Sequence, residues 1–244
     1  QGQKVTINQI IAVENQKPRA LKTAFPSFDS PYQYNAQIER IITCDSATQA
    51  VLSLKLNKST TIYAFDNLFS VNRCQYDKTQ TYQVQFNAWA YELESVPAGE
   101  TIVVDDPASI KHHRALNAIL TEHNGIAPET RAALINEWQP KTEEDQEPVT
   151  VDFSKMVAYL YGENLGQEDE AWFQGNIVGK TSMSFMGAEY TLYDITLVLE
   201  DNLPAILVRI ATKNDLYKNF NIGEYIRGNI WIQANIYAKN SETN

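Results

Sequence analysis

A mainly β protein of the α+β type, with two small β-modules joined by a helical hairpin, is the fold class this sequence predicts, and three observations carry it. Tyr82–Tyr91 (Tyr-Gln-Val-Gln-Phe-Asn-Ala-Trp-Ala-Tyr) and Glu224–Gln233 (Glu-Tyr-Ile-Arg-Gly-Asn-Ile-Trp-Ile-Gln) share an Asn-x-Trp core at an offset of 142 residues. That offset lays Asn87 on Asn229 and Trp89 on Trp231, and keeps Val84 and Ala88 on the face of Ile226 and Ile230, as a strand period of two requires. Strong helix signals are confined to the middle of the chain, and an acidic stretch ending in proline, Lys141–Pro148, follows them. The expected modules are residues 1–96, a helical hairpin and linker over 97–148, and residues 149–244.

Val5–Val13 is rich in β-branched residues and reads as strand. Phe25–Tyr34 combines two prolines with four aromatics and predicts an ordered loop. Strands are expected at Asn35–Cys44, Ala50–Leu56, Thr60–Phe65 and Thr81–Glu94, with turns at Asp45-Ser46, Asn57–Ser59 and Asp77-Lys78. Asp106 before Pro107 is an N-cap with proline at the first helical position, and Ile110, Leu116, Ile119 and Leu120 continue an apolar stripe to Asn124-Gly125. A second helix opens at Pro128 and closes before Pro140. The β pattern returns at Phe173–Ser182, Ala188–Leu199, Ala205–Ala211 and Glu224–Ala238, with one helical turn between Lys213 and Asn219.

Three strands, a short helix and a long final strand over the last ~70 residues resemble the element order of an OB-fold. That resemblance implies a five-stranded Greek-key barrel that binds oligonucleotides, oligosaccharides or proteins across one face. A second echo, Asn35–Glu39 against Gln174–Val178, extends the likeness to the first module.

Hydrophobic content of 43% and charged content of 20% are those of a folded chain. The net charge of −10 is uneven: residues 1–96 carry 9 Lys/Arg against 8 Asp/Glu, 97–150 carry 4 against 10, and 151–244 carry 7 against 12. An acidic surface repels phosphate backbones and steers basic proteins, so nucleic acid is disfavoured for the second half. No apolar run reaches the ~20 residues of a bilayer span, so no membrane association is expected and the cytoplasm is the expected location. The start at Gln1-Gly2 leaves an exported mature form open. Cys44 and Cys74 could form one disulfide or stay as thiols, and two ligands cannot make a zinc site.

No cluster declares a chemistry. Lys111-His112-His113-Arg114 and His123 fall on one helix, where adjacent histidines point about 100° apart and cannot converge on a metal. Asp105-Asp106 is explained by helix capping, and Glu143–Asp145 and Glu168–Glu170 lack the spacing of a calcium loop. Nucleophile-elbow and phosphate-loop motifs are absent, so neither cofactor nor metal is expected. The candidate binding residues are the aromatics Phe25, Phe28, Tyr32, Tyr34, Trp89, Tyr91 and Trp231. The expected function is non-enzymatic binding of a protein partner, basic to match the acidic surface, in the manner of an inhibitor or immunity protein. Single-stranded nucleic acid or oligosaccharide binding on the aromatics is the alternative, and an enzyme without a recognisable motif is a further one. Two independent modules would give two melting transitions, with Trp89→Ala and Trp231→Ala each unfolding its own module at a cost of ~3–5 kcal/mol.

Overall fold

The computed structural model describes residues 4–44, 47–122, 128–161, 167–200, 203–214 and 219–238. The protein is mainly β with few helices, and it divides into two compact units. One comprises Gln1–Ser95, Val157–Val198 and Ala205–Asn244; the other comprises Val96–Met156 and Leu199–Pro204.

In the first unit, β1 (Val5–Glu14) and β2 (Lys17–Phe28) form a separate two-stranded arm. The arm turns at Asn15 and Gln16, both at positive φ, in a chain segment that has no glycine to offer there. The segment Phe25–Tyr34, expected as a loop, is strand at both ends: β2 runs through Pro26 to Phe28, and β3 (Gln33–Thr43) starts five residues later. Pro18 and Pro26 are accommodated because the outer edge of a two-stranded ribbon needs no N–H donor. Then follow β4 (Ala50–Lys55), β5 (Thr61–Asp66), a helical turn α1 (Phe69–Asn72) and the long β6 (Thr81–Ser95). The turn before β5 is held by Asn57, whose Oδ1 accepts from the N–H groups of Ser59 and Thr60, both at 2.8 Å.

The second unit holds β7 (Thr101–Val104), α2 (Pro107–Glu122), α3 (Pro128–Glu137) and β8 (Val149–Asp152). Asp106 caps α2 as expected, accepting from Ser109 N–H at 2.9 Å. Ala115 and Ile119 pack with Ile135 between the helices. The segment 141–148 is a folded connection, since Asp145 accepts from the N–H groups of Lys141 and Thr142, and it leads into β8, which pairs with β7. Sequence reading missed that ribbon because each strand is only four residues long. The stop at Asn124-Gly125 and the turn at Asp45-Ser46 lie outside the described residues.

The chain then returns to the first unit with β9 (Ala158–Tyr161), β10 (Glu170–Phe185), β11 (Ala188–Val198), β12 (Ile206–Lys213) and β13 (Tyr225–Ala238). Of the helical turn expected between Lys213 and Asn219, residues 215–218 lie outside the described set.

The strands expected in two separate modules join one nine-stranded sheet. β6 and β13 pair antiparallel along their whole length, from Tyr82–Ala238 to Ser95–Ile226. The other edge of β6 pairs with β3 through Gln85 and with β12 from Asn87. The other edge of β13 pairs with β10 through Trp231 and with β5 from Gln233. The pairings therefore close two five-membered rings, β3-β4-β5-β13-β6 and β10-β11-β12-β6-β13. Five strands match the number in an OB-like barrel, but each ring takes its fifth strand from the other half of the sequence.

The Asn-x-Trp match is thus a twofold relation inside one sheet: Trp89 and Trp231 are direct cross-strand partners, the register at which an offset of 142 places the axis. The second echo needs correction by two residues. Tyr34 pairs with Val84 and Gly175 with Ile226, so Tyr34 corresponds to Gly175 once Val84 is laid on Ile226. A slip of two keeps every side chain on its face, which is why the shifted alignment still looked acceptable. A Cβ at Gly175 would collide with the carbonyl oxygen of Thr196, and one at Gly228 with that of Glu92, so glycine is required where these strands cross closely.

One face of the shared β6/β13 ribbon is core throughout. Val84, Phe86, Ala88, Ile226, Ile230, Ile232 and Ala234 are fully buried and belong to a single apolar cluster with residues from both rings. Phe86→Ala is expected to cost ~3–5 kcal/mol and to lower the protection of β3–β5 and β10–β12 together. Hydrogen exchange followed through denaturant unfolding checks this; loss of one ring's protection while the other stays native would refute the shared core.

Candidate functional site

The opposite face of the shared ribbon carries the residues that sequence reading singled out. Trp89 and Trp231 stand side by side across the strands. Phe28 meets Trp89 edge-on with centroids 5.2 Å apart, and Tyr190 meets the same indole at 5.7 Å. Phe25 packs edge-on against Phe65 at 4.8 Å, and Phe65 in turn against Trp231 at 5.4 Å. Gln233, next to Trp231 along the face, donates to the carbonyl of Pro26 at 2.9 Å. The root of the arm is therefore fastened across the ring junction by two aromatics and one hydrogen bond.

The segment that follows continues the fastening. Tyr32 lies beside Asp194, whose carboxylate is gripped by Arg209 through Nε at 2.6 Å and Nη2 at 2.9 Å. Both charged partners are mostly buried, so this bidentate pair stands in a low dielectric where geometry of that quality is needed to offset desolvation. The Tyr34 hydroxyl donates to Leu207 C=O at 3.0 Å and accepts from Leu207 N–H at 2.7 Å. Burial raises the pKa of both tyrosines, most directly for Tyr34. Of the seven aromatic candidates, Phe25, Phe28, Trp89 and Trp231 gather at the arm root, Tyr32 and Tyr34 reach β11 and β12 from the segment that follows, with Tyr34 on the core face beside Phe86, and Tyr91 stands apart, 52% exposed, beside Glu170.

The two indoles differ in their polar partners. Trp231 Nε1–H donates to Asp169 Oδ2 at 2.5 Å, and Asp169, buried beside it, has its pKa raised chiefly by desolvation. Trp89 Nε1 and the carboxamide of Asn87 are buried and have no hydrogen-bond partner among the described residues. Asn87 and Gln233 are cross-strand neighbours with no exposed surface, placed where β6 and β13 each exchange one outer neighbour for another.

What the fold displays is the remainder of the arm. β1 is regular, so Val5, Ile7, Gln9, Ile11 and Val13 share one face. Val5 is packed at the root with Phe28, whereas Ile7, Ile11 and Val13 are 45%, 42% and 63% exposed, and Leu21, opposite Ile11, is 59% exposed. The register shifts after Ile10 and after Ala12 place one extra β2 residue at Lys22 and another at Arg19, both bulged and both basic. Sequence reading assigned the strand but missed its exposure; the signal was the alternation Val5, Ile7, Ile11, Val13 in a segment that ends among lysines.

Among the described residues the remaining candidates assemble no reactive constellation. His112 is exposed and His113 is bonded to Asn117 at 2.9 Å, while His123 lies outside the described residues. No group of three or more His, Cys, Asp or Glu able to hold a metal occurs among the described residues. No disulfide joins Cys44 and Cys74, and both are exposed. A hollow of about 300 Å³ between β10, β11 and β12 is lined by Lys180, Thr191, Tyr193, Thr212 and Lys213, but Lys180 Nζ is already committed to Asn219 Oδ1 and to Phe220 C=O. Among the described residues no helix is long and apolar enough to cross a membrane. No protein-family model, no curated protein and no solved structure matches this chain.

One buried acid gives this unit a pH signature. Asp66, 1% exposed at the end of β5, accepts from Leu68 N–H at 2.9 Å and from Tyr76 O–H at 2.5 Å. Burial outweighs these bonds and raises its pKa to about 6. The folded state therefore holds a proton that the unfolded chain releases at lower pH, so this stabilisation is full below the unfolded pKa and is lost as pH rises through about 6. Asp66→Asn should flatten the fall in unfolding free energy between about pH 4 and pH 7 by on the order of 2 kcal/mol. Urea unfolding of both proteins across that range checks it; parallel curves would show that Asp66 does not titrate there.

Proposed function

We propose that this chain is a non-enzymatic binding protein whose partner is another protein, and that the β1–β2 arm is its docking element. The observation that supports this most directly is the apolar face of Ile7, Ile11, Val13 and Leu21, held out on a two-stranded ribbon that pairs with no third strand among the described residues. An isolated hairpin is marginally stable in water at best, and a contiguous exposed apolar face marks a surface that another molecule covers. Open strand edges add main-chain donors and acceptors for a partner strand. The anchoring of Phe25, Phe28, Tyr32 and Tyr34 fits the same reading, because a docking element costs less to order when its root is already fixed.

Charge adds a second support. Residues 96–156 carry eleven Asp/Glu against five Lys/Arg, a field that attracts a basic protein and repels phosphate. Binding of nucleic acid or sugar by stacking on Trp89 and Trp231 draws less support, since aromatic side chains of the same chain already crowd both indoles.

A photo-crosslinking residue placed at Leu21, with the same residue at exposed Lys78 as control, tests the reading in the source cell. Protein adducts are expected from position 21 and not from position 78. Absence of any protein adduct at position 21 would remove the arm as a docking element.

A further inference from the structure

Resting on that reading, we infer that the arm's partner is a second copy of this chain, with the basic arm of one copy lying against the acidic 96–156 segment of the other. The arm from Lys4 to Ala24 carries Lys4, Lys17, Arg19 and Lys22 against Glu14 alone, in a chain whose net charge is −10. Its positive charge is concentrated at the far end: Lys17 and Arg19 flank the turn, and Arg19 and Lys22 are the bulged residues. Glu14 holds Arg19 at 2.8 Å, but both side chains are more than half exposed, so the pair is screened and leaves Lys17 and Lys22 uncompensated.

The acceptor is drawn from the same sequence. In the 96–156 segment the connection before β8 presents Glu143, Glu144 and Glu147, all exposed, in five consecutive residues. A single chain thus displays a basic apolar arm and an acidic surface that meet each other's charge. A partner outside the chain would have to supply both an acidic surface for the arm and a basic one for the 96–156 segment. A second copy supplies the first with nothing added, and the apolar face supplies the non-ionic part of the contact. Association of this kind is head to tail, arm to acidic segment, and it weakens as salt rises.

Sedimentation equilibrium of the full chain at low and high salt tests this. Three variants are compared with the wild type: Lys17→Glu with Arg19→Glu and Lys22→Glu; Glu143→Lys with Glu144→Lys and Glu147→Lys; and the six changes combined. Because all six side chains are exposed, circular dichroism and melting are expected to stay as in the wild type. The wild type is expected to self-associate, each triple variant to associate about tenfold or more weakly, and the six-fold variant to recover most of the loss. Equimolar mixing of the two triple variants is expected to restore association, because the reversed arm of one meets the reversed segment of the other and the unchanged arm and unchanged segment also meet across the pair; a mixture that associates no better than either variant alone would overturn the proposal. A chain that stays monomeric at every concentration and both salts would overturn the proposal, as would association indifferent to both triple changes. Adducts from position 21 that contain only other proteins would overturn it while leaving the arm's docking role intact; absence of every adduct would remove both.

Discussion

Everything in the first unit depends on the antiparallel pairing of β6 with β13. Each strand gives one edge wholly to the other, and divides its remaining edge between two neighbours. Neither ring can close without that ribbon, because the fifth strand of each belongs to the opposite half of the chain. β6 and β13, fifteen and fourteen residues long, are the two strands shared by both rings.

The exchange of neighbours has a chemical cost that the structure localises. At Asn87 and Gln233 the outer ladders change partner, and fully buried carboxamides sit there instead of apolar side chains. Gln233 finds the Pro26 carbonyl of the arm root, whereas Asn87 finds no partner among the described residues. The twofold relation holds in register from Tyr82 to Ala90, slips by one residue at Tyr91, and is broken in side-chain chemistry: Asp169 answers the indole of Trp231, and among the described residues nothing answers that of Trp89.

Aromatic residues in this protein act mainly as fasteners. Phe25 and Phe28 each touch an element more than thirty residues away in sequence, and together they hold the arm root over the ring junction, while Tyr34 ties the start of β3 to β12. With the root fixed, the rest of the arm inherits a defined direction, and its alternation of apolar and polar positions becomes a displayed face instead of a core face. The helical unit contributes differently, through charge: its excess of carboxylates is solvated, and local cap and turn hydrogen bonds lower the pKa of Asp106 and Asp145.

The sequence by itself determined the mainly β class, most strand positions, the cap at Asp106 and the correspondence of Trp89 with Trp231, because period-two patterning, turn chemistry and capping are local properties. It could also place Tyr82, Val84, Phe86, Ala88 and Ala90 on one buried face; the first four are buried in the structure and Ala90 is half-buried against the same core. Tertiary structure alone decided that the two Trp strands pair with each other instead of lying in separate barrels. Local patterning sets which face of a strand is apolar, but not which strand supplies the neighbouring edge, and β6 and β13 satisfy the same pattern in either arrangement. Burial of the aromatic candidates was undecidable for the same reason: Phe25 and Phe28 have the composition of an exposed platform, and only the proximity of Phe65, Trp89 and Trp231 makes them anchors. Conversely, Ile7, Ile11 and Val13 have the pattern of a core strand, and remain exposed because no element among the described residues packs over that face of the arm.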